Sequence, residues 1–448
     1  MMRARIALCF LLLLFAAQPS LHPQNPPKIE LRPSPFEEII LATANVQPIG
    51  TERSPLLDDA VKVFNQVLYD DLQFAGYFTM AGKGFIPPKP IVNPDTDIDY
   101  KAWDEIPFKV SFTTVGTLSI NGNKLRADLS VYDMKQKQRF FRKAYTGDIN
   151  QTRAIVHSWA DEIVSQLTAG ASRGIASTQI AYVSKKGKAV KDIYIMDYDG
   201  FNPRVFMSNK SLNLFPSWAP DNSKLAFVSY RPNPEIALYS YIDGSRLPFP
   251  VFNTLASTPA ISPDGKEIAF CMRAERGESD IFISNIDGSK RRNLTKSSAF
   301  NTSPAWSPSG RQIAYISGIP GQIFIMDVDG TNVRRIIKEG GDADSISWSP
   351  DGKWLAFHWK THRSSHYDIF VADVATGSIR QVTNGGGSNE SPSWAPDGRH
   401  IVFQSNRSGT WQIYGMLVGG TGIARQITSA GDNTSPAWSA YVRRNAEN

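Results

Sequence analysis

The strand phrase "IAYVS" at Ile180 returns as "LAFVS" at 225, "IAFCM" at 268, "IAYIS" at 313, "LAFHW" at 355 and "IVFQS" at 401. All but the first copy follow a Pro/Ser-rich strand and a turn: "SWAPDNSK", "AISPDGKE", "AWSPSGRQ", "SWSPDGKW" and "SWAPDGRH". Trp218, Ile261, Trp306, Trp348, Trp394 and Trp438 mark one recurring position, at steps of 43, 45, 42, 46 and 44 residues. A third strand follows each time, as in "DIYIMDYDG" and "QIFIMDVDG", and a fourth such as "RRNLT" or "IRQVT" completes the unit. Four short antiparallel strands repeated at this period predict the blades of a β-propeller. Pro-Asp-Gly suits a tight turn, since Pro fixes φ, Asp bonds its own backbone and Gly accepts positive φ. The large apolar residue suits a wedge between blades, and Ala in "IAF" leaves room for close sheets.

The copies are unevenly distributed. The first, at Ile180, lacks its Pro-x-Trp strand, and the last, "NTSPAWS" at 433–439, is only that strand. Pairing the C-terminal strand into the first blade makes six complete blades over 175–442. It also removes the edge that would otherwise sit between first and last.

Residues 29–170 have a different period. Ser54-Pro55 is a helix start, and Val61, Phe64, Leu68 and Leu72 recur at helical spacing up to Gly76. "FKVSFTTVGTLSI", "NGN" and "KLRADLSVYDM" read as a hairpin. A second helix over about 150–168 carries Ile155, Trp159, Ile163 and Leu167 on one stripe, with Gly170 as its cap. The fold class expected is an α+β N-terminal domain followed by an all-β six-bladed propeller closed by its C-terminal strand.

Ahead of that domain, "MMRARIALCFLLLLFAAQPS" (1–20) has Arg3 and Arg5 before an apolar run. The run is too short to span a bilayer, so it reads as a signal peptide and the chain as exported. Residues 21–28, "LHPQNPPK", form an extended Pro-rich segment. The formal charge of +6 falls to +4 without Arg3 and Arg5, and no basic block exceeds "KRR" at 290–292. Charge therefore gives no reason to expect nucleic acid or membrane surface as a partner. Cys9 lies in the leader, and Cys271 reads as a small buried hydrophobe.

Catalytic motifs do not survive their context. "GASRG" at 170–174 spells a nucleophile elbow, but a helix precedes Ser172 and a strand follows it, the reverse of the required order. His358, His362 and His366 are spaced by four in a strand–loop–strand, where that spacing does not converge on a metal. "DYDG" and "DVDG" lack the remaining ligands of calcium loops and read as hairpin turns. No phosphate loop, Cys-x-x-Cys or HExxH occurs. The expectation is a non-enzymatic binding protein with no catalytic, metal or cofactor site. The alternative is an exported propeller enzyme acting on peptides or oligosaccharides, which needs a ring of His, Asp, Glu or Arg facing the channel. A scaffold propeller with a different partner is a third reading.

The loops entering the Pro-x-Trp strands hold small polar residues: Ser257 and Thr258, Asn301, Thr302 and Ser303, Asn389, Glu390 and Ser391, and Asn433 and Thr434. In a propeller they gather at one channel mouth and can receive a partner, although the same residue types also bond turns.

The leader, the α+β domain and the propeller ending on "SPAWS" together resemble the TolB family of the Tol–Pal envelope system. The likeness covers nearly the whole mature chain and is strongest in "RGIASTQIAYVSKKG" and "IYIMDYDGFNPRVF". The resemblance implies a monomeric periplasmic adaptor without cofactor. Such an adaptor holds the peptidoglycan-associated lipoprotein Pal at the propeller mouth and TolA through its mature N-terminus, and it serves outer-membrane integrity and constriction at division. Other outer-membrane proteins are further partners. By motif position Thr258 and Thr302 match family residues that touch Pal, and Leu255 stands where the family has a histidine. The TolA role falls by location on Pro26, Pro27, Lys28, Ile29, Glu30 and Leu31.

Overall fold

The computed structural model describes residues 38–441, other than 51–53, 188–189, 232, 276, 362–363 and 421. The expected leader, the segment 21–28, Pro26 to Leu31 and His362 lie outside the described residues. Ser54 caps helix Pro55–Ala75 as its sequence predicts: its Oγ accepts the Leu57 N–H at 3.2 Å, and Gly76 ends the helix at φ +64°. Helix Thr152–Leu167 lies beside it on one face of a six-stranded sheet. Strand Ile40–Thr43 runs parallel to its neighbours Thr79–Met80 and Phe112–Asn121, and the hairpin partners Lys124–Asp133 and Gln138–Asp148 follow antiparallel. Phe64, Leu68, Leu72, Trp159 and Ile163 interlock with Leu118, Leu125, Leu129 and Val131. Each such side chain contributes about 1.5–3 kcal/mol by leaving water. The other sheet face is covered by Ile91, Ile98 and Trp103, from a segment containing the short helices Pro94–Asp97 and Tyr100–Asp104. That segment has no apolar period, and its helices were not read from the sequence.

"GASRG" is a linker. Ser172 is buried and its Oγ accepts the Gly174 N–H, while the Asp161 carboxylate accepts the N–H groups of Ala176 and Ser177 at 2.8 and 2.9 Å. Gly174 has φ +74°, and a Cβ there would stand 2.1 Å from Asp161 Oδ1. Only glycine fits.

Six four-stranded sheets follow. The inner strands of blades one to six are Asn433–Trp438, Asn213–Trp218, Ala256–Ile261, Asn301–Trp306, Gly341–Trp348 and Asn389–Trp394. The last strand of the chain therefore pairs into the first blade, with Asn433 opposite Ser184 and Trp438 opposite Ile180.

Neighbouring blades are tied at two levels. Near the axis, the indole N–H groups of Trp218, Trp306 and Trp348 donate to the carbonyls of Ala437, Ala260 and Ala305 in the preceding blades, at 3.0–3.1 Å. At the rim, an arginine of the outer strand reaches forward: Arg292 donates to the Val328 carbonyl, and Arg334 to that of Val374 at 3.1 Å. Between blades five and six both ties are missing. The Trp394 indole N–H and the Arg380 Nε and Nη2 find no acceptor among the described residues.

The "DYDG" and "DVDG" segments are turns, as read. The Asp329 carboxylate accepts the N–H and hydroxyl of Thr331, and Gly200, at φ +92°, would put a Cβ 2.3 Å from the Ile427 carbonyl of blade six.

The N-terminal domain sits on the ends of the strands remote from the loops that enter the inner strands. There Arg399 donates to the Ala75 and Gly76 carbonyls at 2.9 and 2.8 Å, and His400 Nε2 meets the Phe74 carbonyl at 2.8 Å. A turn of blade six thus caps the C-terminus of helix 55–75, where cationic donors are favoured.

Candidate functional site

Every inner strand carries the same irregularity. Its pairing with the second strand breaks between the residues four and one places before the recurring Trp or Ile. The residue three places before it, third in the strand in every blade but the longer-stranded fifth, is left-handed throughout: Phe215, Thr258, Ser303, Ser345, Ser391 and Ser435 have φ between +47° and +55°. Proline follows in five blades and Ile346 in blade five. A bulge frees the next position from the ladder, so a residue without an N–H is tolerated there. These six residues line a channel of about 510 Å³.

The expected mouth residues divide by their place in this bulge. Thr258, Ser303 and Ser391 line the channel. Ser257, Thr302, Glu390 and Thr434 stand one place earlier and are half-buried. The register pairs Thr302 with Ile316 and Ser257 with Cys271, so Thr302 is the structural equivalent of Ser257, not of Thr258. Asn301, Asn389 and Asn433 are buried and pin their own loops. Asn301 Nδ2 donates to the Ala299 carbonyl and Ser297 Oγ, and Asn389 Nδ2 to Asp368 Oδ1 and the Gly387 carbonyl. Asn433 Nδ2 donates to Gln412 Oε1 and the Ala430 carbonyl. They shape the mouth and present almost no side-chain surface. Leu255 is exposed in its loop.

One side of the mouth is polar in a way the sequence reading missed. Ser303 Oγ and the Ser345 N–H both donate to Asp344 Oδ1 at 2.6 Å. The Ser391 N–H donates to His358 Nδ1, the Ser435 N–H to Gln404 Oε1, and Gln404 Nε2 to Glu390 Oε2. The left-handed Ser391 and Ser435 thus turn their N–H groups to side chains of the preceding blade, and Ser345 turns its own to the adjacent Asp344. Asp342 accepts from the Tyr367 hydroxyl and the Gly321 N–H. Burial drives His358 down to about 4 against the pull of Asp344 and Asp342, so it is neutral near pH 7, consistent with an Nδ1 that accepts. Burial also pushes Glu390 up, with Asp344 adding to the shift. Among the described residues no Lys or Arg lies within ion-pair distance of Asp342, Asp344 or Glu390. The residues sit on two blades and do not form a ring. His366 is exposed and bonds Ser365, away from buried His358. Cys271 is buried, and burial pushes its thiol up.

The family model described as the TolB beta propeller domain matches residues 164–366 and 341–444. A TolB homologue of Chlorobium chlorochromatii is 30% identical over 273 residues, covering 60% of this chain and 59% of its own, under two thirds of that relative's length. The Tol-Pal system protein TolB of Anaeromyxobacter dehalogenans is 30% identical over 310 residues, 68% of each chain. The crystal structure of TolB from Acinetobacter baumannii superposes with a TM-score of 0.76 over 91% of this chain and 98% of that one, at 23% identity. With the propeller closed by its last strand and the family model spanning more than half its length, the chain belongs to the TolB family of β-propeller proteins.

Proposed function

We propose that this protein is a periplasmic adaptor of a Tol–Pal system. It holds a Pal lipoprotein at the channel mouth and engages TolA through its N-terminal segment, supporting outer-membrane integrity and constriction at division. The observation that carries the reading is a channel mouth that the described residues of the N-terminal domain leave uncovered. The N-terminal domain occupies one end of the propeller, and the opposite end presents Ser257, Thr258, Thr302, Ser303, Glu390, Ser391 and Thr434 around the channel. Hydroxyls and half-buried backbone N–H groups on a rigid ring suit a preformed protein interface, which loses little entropy on docking. The Anaeromyxobacter dehalogenans relative is a Tol-Pal system protein by name, which supports the reading. A calorimetric titration with the Pal protein of the same organism tests the proposal. Binding should be measurable at micromolar concentration, and no heat at tens of micromolar overturns the adaptor reading.

A further inference from the structure

The junction between the domains contains a buried charged cluster that neither the fold nor the docking role requires. His157 of helix 152–167 is 4% exposed. Its Nδ1 meets Asp71 Oδ2 of helix 55–75 at 2.7 Å, and its Nε2 stands 3.8 Å from Asp199 Oδ2 in the first blade. The Tyr198 hydroxyl donates to the other Asp71 oxygen at 2.6 Å. Arg153, one turn before His157, bonds Asp199, so the positive charge beside that carboxylate is already supplied by the protein. Among the described residues the Nε2 of His157 has no hydrogen-bond partner, although its ring lies buried between the two carboxylates.

We infer that His157 is a proton-operated latch between the N-terminal domain and the propeller. Charged, it is attracted at once to Asp71 on one domain and Asp199 on the other. Neutral, it keeps a hydrogen bond to Asp71 but loses its attraction to Asp199, and the first blade is then held at this point by Arg153 and Tyr198 alone. The ring also lines a cleft of about 770 Å³ between helix 152–167 and blades one and two, together with Ser158, Gln179, Asp197 and Tyr241. Water can therefore exchange its proton without global unfolding.

The charged groups around His157 all bear on the sign. Burial pulls its proton affinity down, but Asp71 and Asp199 outweigh burial and Arg153, so it titrates above an ordinary histidine. Burial pushes Asp71 up, His157 and the Tyr198 hydroxyl oppose this, and the two groups titrate as a pair. Burial also lifts nearby Asp197, and it lifts Asp161, one turn further along the helix, to about 6. A histidine raised in the folded state stabilises the junction fully below its unfolded value. That contribution disappears as pH rises through the folded value. While Asp71 and Asp199 stay ionised, the latch therefore holds below the ordinary histidine value and loosens as pH rises through the higher value of the folded state.

Two measurements on the full chain test this. The imidazole resonance of His157, assigned by its loss in His157→Gln, should titrate with a midpoint above 6.5, and Asp199→Asn should lower that midpoint. Amide exchange in 152–167 and 198–201, corrected for its intrinsic pH dependence, should accelerate with pH. The acceleration should be about tenfold for every pH unit by which the midpoint lies above that of an ordinary histidine. His157→Gln should abolish the acceleration while leaving exchange in blades three to five unchanged. A midpoint at or below 6.5, or the same acceleration in His157→Gln, overturns the latch. The readout does not involve Pal, so it stands or falls separately from the docking proposal.

Discussion

Ser439 Oγ accepts the backbone N–H of Gln179 at 3.0 Å, joining residues 260 positions apart. The Ser439 N–H returns the bond to the Gln179 carbonyl, and Asn222 of blade two donates to the Ala440 and Tyr441 carbonyls just beyond. The end of the chain is stitched both to its own blade and to the next. A chain stopped after Asp432 loses the inner strand of blade one and should melt well below the full protein in calorimetry. An unchanged melting temperature would refute closure by strand 433–438. The single change Trp438→Ala removes a buried indole bonded to Thr178 Oγ1 and should cost about 3–5 kcal/mol in chemical denaturation.

The cap on helix 55–75 depends on a carboxylate. Asp397 bonds His400 Nδ1 at 2.6 Å. Burial tends to raise Asp397, but His400 and the N–H groups of Arg399 and His400 outweigh it and hold the carboxyl below its ordinary value. A lowered carboxyl contributes stability above its unfolded value, lost as pH falls through the folded one. Asp397→Asn should therefore be destabilising at pH 7, by about 1–3 kcal/mol, and should approach wild type in acid, as pH falls through the lowered folded value. Equal losses at both pH values would contradict this account.

Arg399→Ala leaves two helix-terminal carbonyls without their donors and should also cost about 1–3 kcal/mol. Hydrogen exchange should show the loss locally, at residues 70–76 rather than in the blades. An effect spread evenly over the chain would mean that Arg399 does not act through the cap.

Mouth substitutions should separate into two kinds. Thr302→Arg places a bulky cation at a half-buried mouth position and should weaken Pal binding at least tenfold with the melting temperature nearly unchanged. Asn389→Ala should do the reverse. It strips Asp368 and the Gly387 carbonyl of a buried donor, which costs about 1–3 kcal/mol, and leaves the docking surface in place. If Asn389→Ala weakened binding more than it destabilised the blade, the asparagine would belong to the interface after all.

Gly174→Ala tests the linker. The added methyl meets Asp161 and forces an unfavourable φ, so the midpoint in urea should fall, and the reading fails if the variant is as stable as the parent.

The number of blades and the closing strand were legible because each blade repeats one local grammar of strand, turn and wedge. The two long N-terminal helices were legible for the same reason: each has an apolar stripe, and in the first Ser54 and Gly76 mark its ends. The bulge was written as "SP" or "TP" in four blades, but its left-handed third residue was not foreseen, because serine and threonine do not announce positive φ. The acidic side of the mouth escaped for a different reason. Asp344 and Glu390 occupy the place held elsewhere by Leu214, Ser257, Thr302 and Thr434; strand register sets them opposite His358 and Gln404 within their own blades, and only ring geometry brings the two pairs side by side. The meeting of Asp71, His157 and Asp199 is a still longer-range event, set by how two domains settle against each other. The buried asparagines show the converse: a polar residue in a loop with surface-like composition was drawn inside to hold that loop.

A closed ring behaves like a hoop, whose integrity is that of its poorest joint and not of the place where its ends meet. Where the chain ends meet, this hoop is riveted by Ser439 and Asn222. At the boundary of blades five and six the Trp394 indole and Arg380 find no acceptor among the described residues, and the Trp394 and Ser391 N–H groups cross the joint instead, to Ser347 Oγ and His358 Nδ1. That joint, beside Asp344 and Glu390, is therefore fastened close to the axis and not by an arginine at the rim. A load applied on the acidic side of the mouth would then pass from blade to blade through Ser347 and His358.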